Sequence, residues 1–178
     1  AVNGPPLGPD RFAAPGRAYS FNGVNQYINI DVAESKLNFS SNDSFALSAW
    51  VTVNNDNDRK PVIDTSRYSL EIGADEKPRF YVMNSGTVGS EIKAPTALSA
   101  GAWHHLVGVH ENSGGTQTLK LYVDGVLVGS APAGTIYTTW YIDARIGSSY
   151  HMGGLYHSGK IDDARIYNRT LSAAEVAN

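Results

Sequence analysis

The sequence predicts an all-β protein, an antiparallel β-sandwich of two packed sheets with one short C-terminal helix. Three observations carry this. Short segments alternate apolar and polar residues at period two. Gly, Asn, Asp and Ser punctuate them at close intervals, as turns require. A helix-start signal stands out near the C-terminus.

Taken in order, the predicted strands are 18–20, 27–29, 45–53, 61–64, 68–72, 78–82, 104–111, 118–123, 126–130, 144–146 and 159–167. Several connections carry recognisable turn chemistry. Asp124-Gly125 lies between two alternating apolar runs, a strong two-residue hairpin signal because both central residues tolerate positive φ. Residues 73–77 and 111–117, the latter with Gly114-Gly115, read as two further hairpin loops. Ser172, followed three residues later by Glu175, forms a capping box and places a short helix at the end. Eleven strands and one helix imply two packed sheets. No internal repeat or linker interrupts the chain. Residues 1–178 therefore read as one domain, with the Gly/Pro-rich start 1–9 as a boundary inside a longer chain.

Composition excludes several classes of function. Of the 178 residues, 17% are charged, below the roughly 25% of an average soluble domain. With 18 Gly and 10 Tyr, this suggests a polar, uncharged surface of the kind that suits sugars or a secreted scaffold. The net charge is -3 and no Lys/Arg run stands out, so the footprint of a nucleic-acid binder is missing. No apolar run approaches the roughly 18 residues of a membrane span. The absence of cysteine rules out thiolate chemistry, Cys-ligated zinc and disulfides. In an exported protein it favours a bacterial origin.

Five blocks then occur in order across residues 10–178. They are Phe21-Asn22-Gly23 leading to Tyr27-Ile28, Ser48-Ala49-Trp50, Trp103-His104-His105-Leu106, Leu121-Tyr122-Val123-Asp124-Gly125, and the run from Gly159 through Ile161-Asp162-Asp163 and Arg165-Ile166-Tyr167-Asn168-Arg169 to Leu171-Ser172. This pattern resembles the laminin-G-like domains of the concanavalin A-like lectin/glucanase superfamily. The resemblance implies a jelly roll. It also implies a monomeric binding module within a larger secreted or cell-surface protein. The expected function is a non-catalytic carbohydrate-binding module of a secreted bacterial polysaccharide-active protein, with a structural calcium. The alternative is a protein-interaction or spacer domain of a surface adhesin. Most motif residues have structural explanations: Trp50 and Trp103 as core anchors, Tyr122 and Tyr167 as core or inter-sheet residues, and Arg165 in a buried ion pair or backbone bonds.

Calcium needs six to eight hard oxygen ligands. By the resemblance, Asp162 supplies a carboxylate, Asn22 a side-chain oxygen and Gly23 a carbonyl, with Asn25 nearby. The alternative is that Asp162 caps a turn or pairs with Arg165. The run Asn54-Asn55-Asp56-Asn57-Asp58 resembles the start of an EF-hand loop but lacks the required Gly and distal Glu, and reads better as a solvated loop.

Glucanases of the superfamily use two Glu residues five apart with an Asp two after the first. Glu71 and Glu76 have that spacing, but Gly73 stands at the Asp position. The stretch also reads as a turn that leaves Glu76 in solvent. His104 and His105 are adjacent on a strand, point to opposite faces and cannot share a metal. No Gly-x-Ser-x-Gly elbow occurs.

Sugar recognition needs flat aromatic faces and planar polar groups. Two loop-like stretches, 136–141 and 148–157, hold aromatics that the fold leaves unexplained. The candidate ligand-binding residues are Tyr137, Trp140, Tyr150, His151, Tyr156 and His157. The alternative is a loop cluster packing on itself. Arg67 and Tyr68 are expected at the same rim, where an arginine would suit an acidic sugar through bidentate pairing. The expected partner is thus a polysaccharide or oligosaccharide, acidic in that variant.

Overall fold

The computed structural model describes residues 3–31, 36–84, 87–137, 143–149 and 153–177. Among the described residues, thirteen strands and one helix occur in chain order. The strands are β1 (Leu7–Gly8), β2 (Ala18–Asn22), β3 (Ile28–Asn29), β4 (Phe45–Val53), β5 (Lys60–Thr65), β6 (Tyr68–Ile72), β7 (Pro78–Asn84), β8 (Thr87–Lys93), β9 (His104–Ser113), β10 (Thr116–Val123), β11 (Val126–Pro132), β12 (Ala144–Ile146) and β13 (Ser158–Tyr167); the helix is α1 (Ala173–Val176). They form a seven-stranded sheet, ordered β1-β2-β13-β4-β9-β10-β11, and a six-stranded sheet, ordered β3-β12-β5-β6-β7-β8. The two pack face to face as a jelly-roll sandwich.

Alternation along β4 shows why the sheets pack. Phe45, Leu47, Ala49, Val51 and Val53 all join the inter-sheet core, together with Leu106 of β9, Leu119 and Leu121 of β10, and Ile161 of β13. The six-stranded sheet answers with Ile63, Tyr68, Leu70, Ile72, Phe80 and Val82. Fit is tight where the sheets cross, since a Cβ at Gly108 would collide with the Phe80 ring. The other face of the seven-stranded sheet carries a second apolar cluster. Ala46, Val107, Val109 and Tyr122 pack there against Leu171 and Val176 from the C-terminal segment. The capping box forms as the sequence predicts: Ser172 Oγ accepts from Glu175 N–H at 3.3 Å, and the Glu175 carboxylate accepts from Ser172 N–H at 2.9 Å.

Two strands escape sequence reading. In β8 the buried residue is Ile92, while Val88 is exposed, so an edge strand looks like a polar loop. In β1, Leu7 pairs with Tyr19 and Gly8 with Ala18. The Gly/Pro-rich start therefore contributes to the sheet, where the sequence suggested a boundary outside the domain.

The tryptophans correct another expectation. Trp50 lies between Ser48 and Thr52 on the outer side of β4 and is half-buried. Its ring stacks on His105 at 5.0 Å and 14°, and the Arg11 guanidinium sits 4.8 Å from its centroid. Trp103, just before β9, is also half-buried. Neither is an inter-sheet anchor. Tyr122 and Tyr167 belong to the helix-covered cluster outside the sandwich. Arg165 is largely exposed and pairs with Asp163 at 3.0 Å.

Candidate functional site

The strands of the six-stranded sheet alternate strictly enough to define its outer face. Tyr68, Leu70 and Ile72 point into the core, so Ser69 and Glu71 point out. Register then aligns one residue from each strand. Asn29 pairs with Arg145, Arg145 with Asp64, Asp64 with Ser69, Ser69 with Tyr81, and Tyr81 with Glu91. A second row, Pro61–Glu71–Arg79–Lys93, lies beside it, about 7 Å along the strands. The outer face is thus polar from one edge of the sheet to the other.

The floor of this face is withdrawn from solvent although it faces away from the core. Asp64, Ser69, Glu71 and Tyr81 are between 0 and 3% exposed. Buried charges require partners, and Glu71 has several. The Arg59 Nη2 donates to both its oxygens at 2.8 and 2.9 Å, Arg79 Nε donates to Oε1, and Tyr81 OH donates to Oε2 at 3.2 Å. Arg79 also reaches Glu91 at 3.2 Å. Burial, and then the neighbouring Glu71 charge, raise the Tyr81 phenol above its usual pKa, so it remains a hydrogen-bond donor. At the β12 edge, Arg145 holds Asp143 through two contacts of 3.3 and 3.0 Å. Its guanidinium also lies 4.7 Å from the Tyr27 ring centroid. An isolated bridge between Ser148 and Tyr156 closes the connection before β13. It sets Tyr156 against Tyr27 at 6.4 Å.

The far rim is pinned through Met83. Met83 N–H donates to the Arg67 carbonyl at 2.6 Å, and Tyr137 N–H donates to the Met83 carbonyl at 2.9 Å. The structure thus brings the β5–β6 turn and the backbone of Tyr137 to one rim. Tyr137 is 46% exposed and Tyr156 half-buried, so both can border a ligand.

Three other candidates cannot present their side chains to a ligand. Arg67 is fully buried and is already engaged within the protein. Tyr68 is a core residue, packed 4.6 Å from Phe45 and 5.8 Å from Phe39, with its OH donating to the Leu37 carbonyl at 2.9 Å. His157 is fully buried, 3.1 Å from the Thr52 carbonyl and edge-on to Phe21. Burial pushes its pKa down to about 4. Trp140, Tyr150 and His151 lie outside the described residues.

The calcium set does not assemble. Asn22 pairs with Ser158 and Tyr19 with Ile161, so Asp162 lies past Tyr19 at the opposite end of the ladder, roughly 13 Å along the strands. Asn22 closes its own turn, accepting from Val24 and Asn25 N–H at 2.9 and 3.2 Å, with Asn25 Oδ1 accepting in return at 3.1 Å. Gly23 N–H donates to the His157 carbonyl. Asp162 accepts from Asp163 N–H at 2.8 Å and faces Arg11 at 3.5 Å. These donors do not fit one ion. The Asn54–Asp58 loop is held by the buried Lys60, which reaches Asp56 at 2.6 Å and Glu76 at 2.8 Å. Burial would raise the Asp56 carboxyl, but bonds from Lys60 and Ser158 outweigh it and hold the group below the usual carboxylate range.

The carboxylate pair fares no better. Glu71 is locked by two arginines on the outer face. Glu76 sits at φ +59 in the β6–β7 turn and is buried against Lys60, where the sequence placed it in solvent. His104 and His105 diverge as expected. His105 meets Ser48 at 2.9 Å, whereas His104 joins Ser99 at 2.9 Å and Asp124 at 2.8 Å. The order Ser99–His104–Asp124 resembles a hydrolase triad. However, the Asp124 carboxylate is about half exposed and its other oxygen accepts from His105 N–H. It pins the β10–β11 turn to the start of β9.

Sequence reading missed Arg59, Asp64, Ser69, Arg79, Tyr81 and Arg145. Their signal was the outward half of each strand's alternation.

Fold and face together define a lectin-type jelly roll. The chain belongs to the concanavalin A-like lectin/glucanase superfamily, whose laminin-G-type family model matches residues 22–177. No curated protein matches in sequence. Solved structures with the same fold include the CBM40 of the Ruminococcus gnavus IT-sialidase bound to α2,3-sialyllactose, with a TM-score of 0.74 at 12% identity over 90% of this chain and 95% of that one. Domain 4 of AbnA, a GH43 extracellular arabinanase from Geobacillus stearothermophilus, in complex with arabinotriose, gives 0.65 at 19% over 91% and 75%. The heptameric SAP-like pentraxin of Limulus polyphemus gives 0.62 at 14% over 89% and 78%.

Proposed function

We propose that this chain is a non-catalytic glycan-binding module whose binding surface is the outer face of the six-stranded sheet. The observation that carries the reading is the polar outer face, on which Asn29, Arg59, Arg79, Glu91 and Arg145 reach solvent around a buried floor of Asp64, Ser69, Glu71 and Tyr81, bordered by Tyr27, Tyr137 and Tyr156. Guanidinium N–H groups and carboxylate oxygens in fixed positions match the paired donor and acceptor character of sugar hydroxyls. Tyrosine rings at the rim offer apolar faces to sugar C–H surfaces. The carbohydrate complexes among its structural neighbours are consistent with this use of the fold. The extracellular arabinanase among them supports a secreted context. Glu71 and Glu76, each committed to cations of the protein, support the absence of glycosidase chemistry.

Affinity electrophoresis through a panel of polysaccharides tests the reading. Wild-type protein should be retarded on at least one gel, equally in EDTA and in calcium. Arg145→Ala and Tyr156→Ala should each weaken retardation about tenfold, the equivalent of 1.4 kcal/mol, with unchanged circular dichroism. Migration unaffected by every polysaccharide, with and without calcium, would sink the proposal.

A further inference from the structure

We infer that the ligand of this face is an uncharged glycan, an inference that rests on the glycan-binding reading above. The acidic-sugar variant depended on an arginine offered to a uronate. The outer face instead presents a closed set of charges. Among the described residues three of its arginines, Arg59, Arg79 and Arg145, pair with three carboxylates, Glu71, Glu91 and Asp143, while Asp64 and Arg67 are withdrawn from solvent. Lys93, at the end of the second row, is drawn away to Asp75 at 2.7 Å.

Balance alone would leave room for local attraction, but the pairs are also geometrically committed. Arg59 spans both oxygens of Glu71, Arg79 bridges Glu71 and Glu91, and Arg145 holds Asp143 through Nε and Nη2. A uronate or sialate carboxylate could gain a bidentate arginine by displacing one of these partners. That exchanges one charge-assisted pair for another and strands the displaced carboxylate. For Glu71, fully buried, stranding is severely unfavourable. A sugar hydroxyl has no such conflict. It accepts from an outward guanidinium N–H and donates to a spare carboxylate lone pair while every ion pair stays intact.

The test compares one polymer in two charge states: galacturonan fully methyl-esterified and the same galacturonan de-esterified, beside neutral arabinan, galactan and xylan gels. Retardation on neutral gels, no gain on de-esterification, and less than twofold change from 50 to 500 mM NaCl support the inference, because screening affects charged contacts. A second arm uses Asp143→Asn, which releases Arg145 from its partner. This variant should gain at least threefold on the de-esterified polymer, and that gain should vanish at 500 mM NaCl. Wild-type preference for the de-esterified polymer, weakened by salt, would overturn the inference while leaving the glycan-binding reading intact. Absence of retardation on every gel would overturn both.

Discussion

The two outward faces of the sandwich solve the same problem in opposite ways. The seven-stranded sheet hides its outer side under other parts of the chain. Apolar Ala46, Val107, Val109 and Tyr122 lie beneath Leu171 and Val176, and the Trp50 ring is engaged by both His105 and Arg11. The six-stranded sheet has polar residues at the equivalent positions, organised into ion pairs in place of apolar contacts. The difference teaches that aromatic content is a poor guide to the binding face here. Of the two described, half-buried tryptophans, Trp50 is spoken for, whereas the residues that reach solvent on the polar face are Asn29, Arg59, Arg79, Arg145 and Glu91.

One large effect should come from the centre of the polar face. Glu71→Gln leaves Arg59 and Arg79 facing a neutral amide. Breaking a buried pair by removing one partner costs about 3 kcal/mol; because both arginines are about one-fifth exposed, water will recover part of this. Urea denaturation should show a loss of about 2 kcal/mol. A loss under ~0.5 kcal/mol would mean that the outer face is as loosely organised as an ordinary surface.

A comparable effect depends on pH and lies where the two faces are tied together. His157 adjoins Ser158, the first residue of β13, and its pKa falls from 6.5 to about 4 on burial. The unfolded chain therefore takes up a proton near pH 6.5 that the folded protein refuses until about pH 4. Stability from this group is fully present above pH 6.5 and is lost as pH falls toward 4, on the order of 3 kcal/mol in all. The measurement is unfolding free energy at pH 7.0, 5.5 and 4.5 for wild type and His157→Gln. The variant should be less stable at pH 7 but lose less on acidification. Parallel curves would remove His157 from the account.

Much of the fold is legible because its determinants are local. The Asp124-Gly125 turn, the Ser172–Glu175 box and the alternation of β4 and β6 each depend on a few adjacent residues, and all form as predicted. The site is not local. Asn29, Arg145, Asp64, Ser69, Tyr81 and Glu91 come from six strands, and each alone is an unremarkable outward polar residue. Their alignment is a property of register, which follows from which strands pair. Backbone bonds through Met83 do bring Tyr137 close to Arg67. The loop reading failed for the Arg67, Tyr68 and His157 side chains, because a polar or aromatic residue near a turn gives no sign of which way it points. The expected calcium ligands came apart for the same reason: residues implied together by resemblance sit at opposite ends of one ladder.

The smallest effect sharpens the contrast between faces. Arg11 sits over Trp50 and pairs with Asp163 at 2.9 Å and Asp162 at 3.5 Å. The cation–π contact at a partly exposed site contributes about 0.5–1 kcal/mol, and surface ion pairs contribute roughly 0–1 kcal/mol. Arg11→Ala should therefore cost about 1 kcal/mol in urea denaturation. It should also raise Trp50 accessibility to acrylamide quenching, because one face of the indole is uncovered. Glycan retardation should stay at the wild-type value, since Arg11 and the polar row are on opposite sides of the sandwich. If uncovering Trp50 created or strengthened retardation, the N-terminal segment would be a cover over a second sugar platform, and the assignment of binding to one face would fail. Unchanged retardation with a brighter quenching response would show that the tryptophan is reserved for holding the chain's own N-terminal segment.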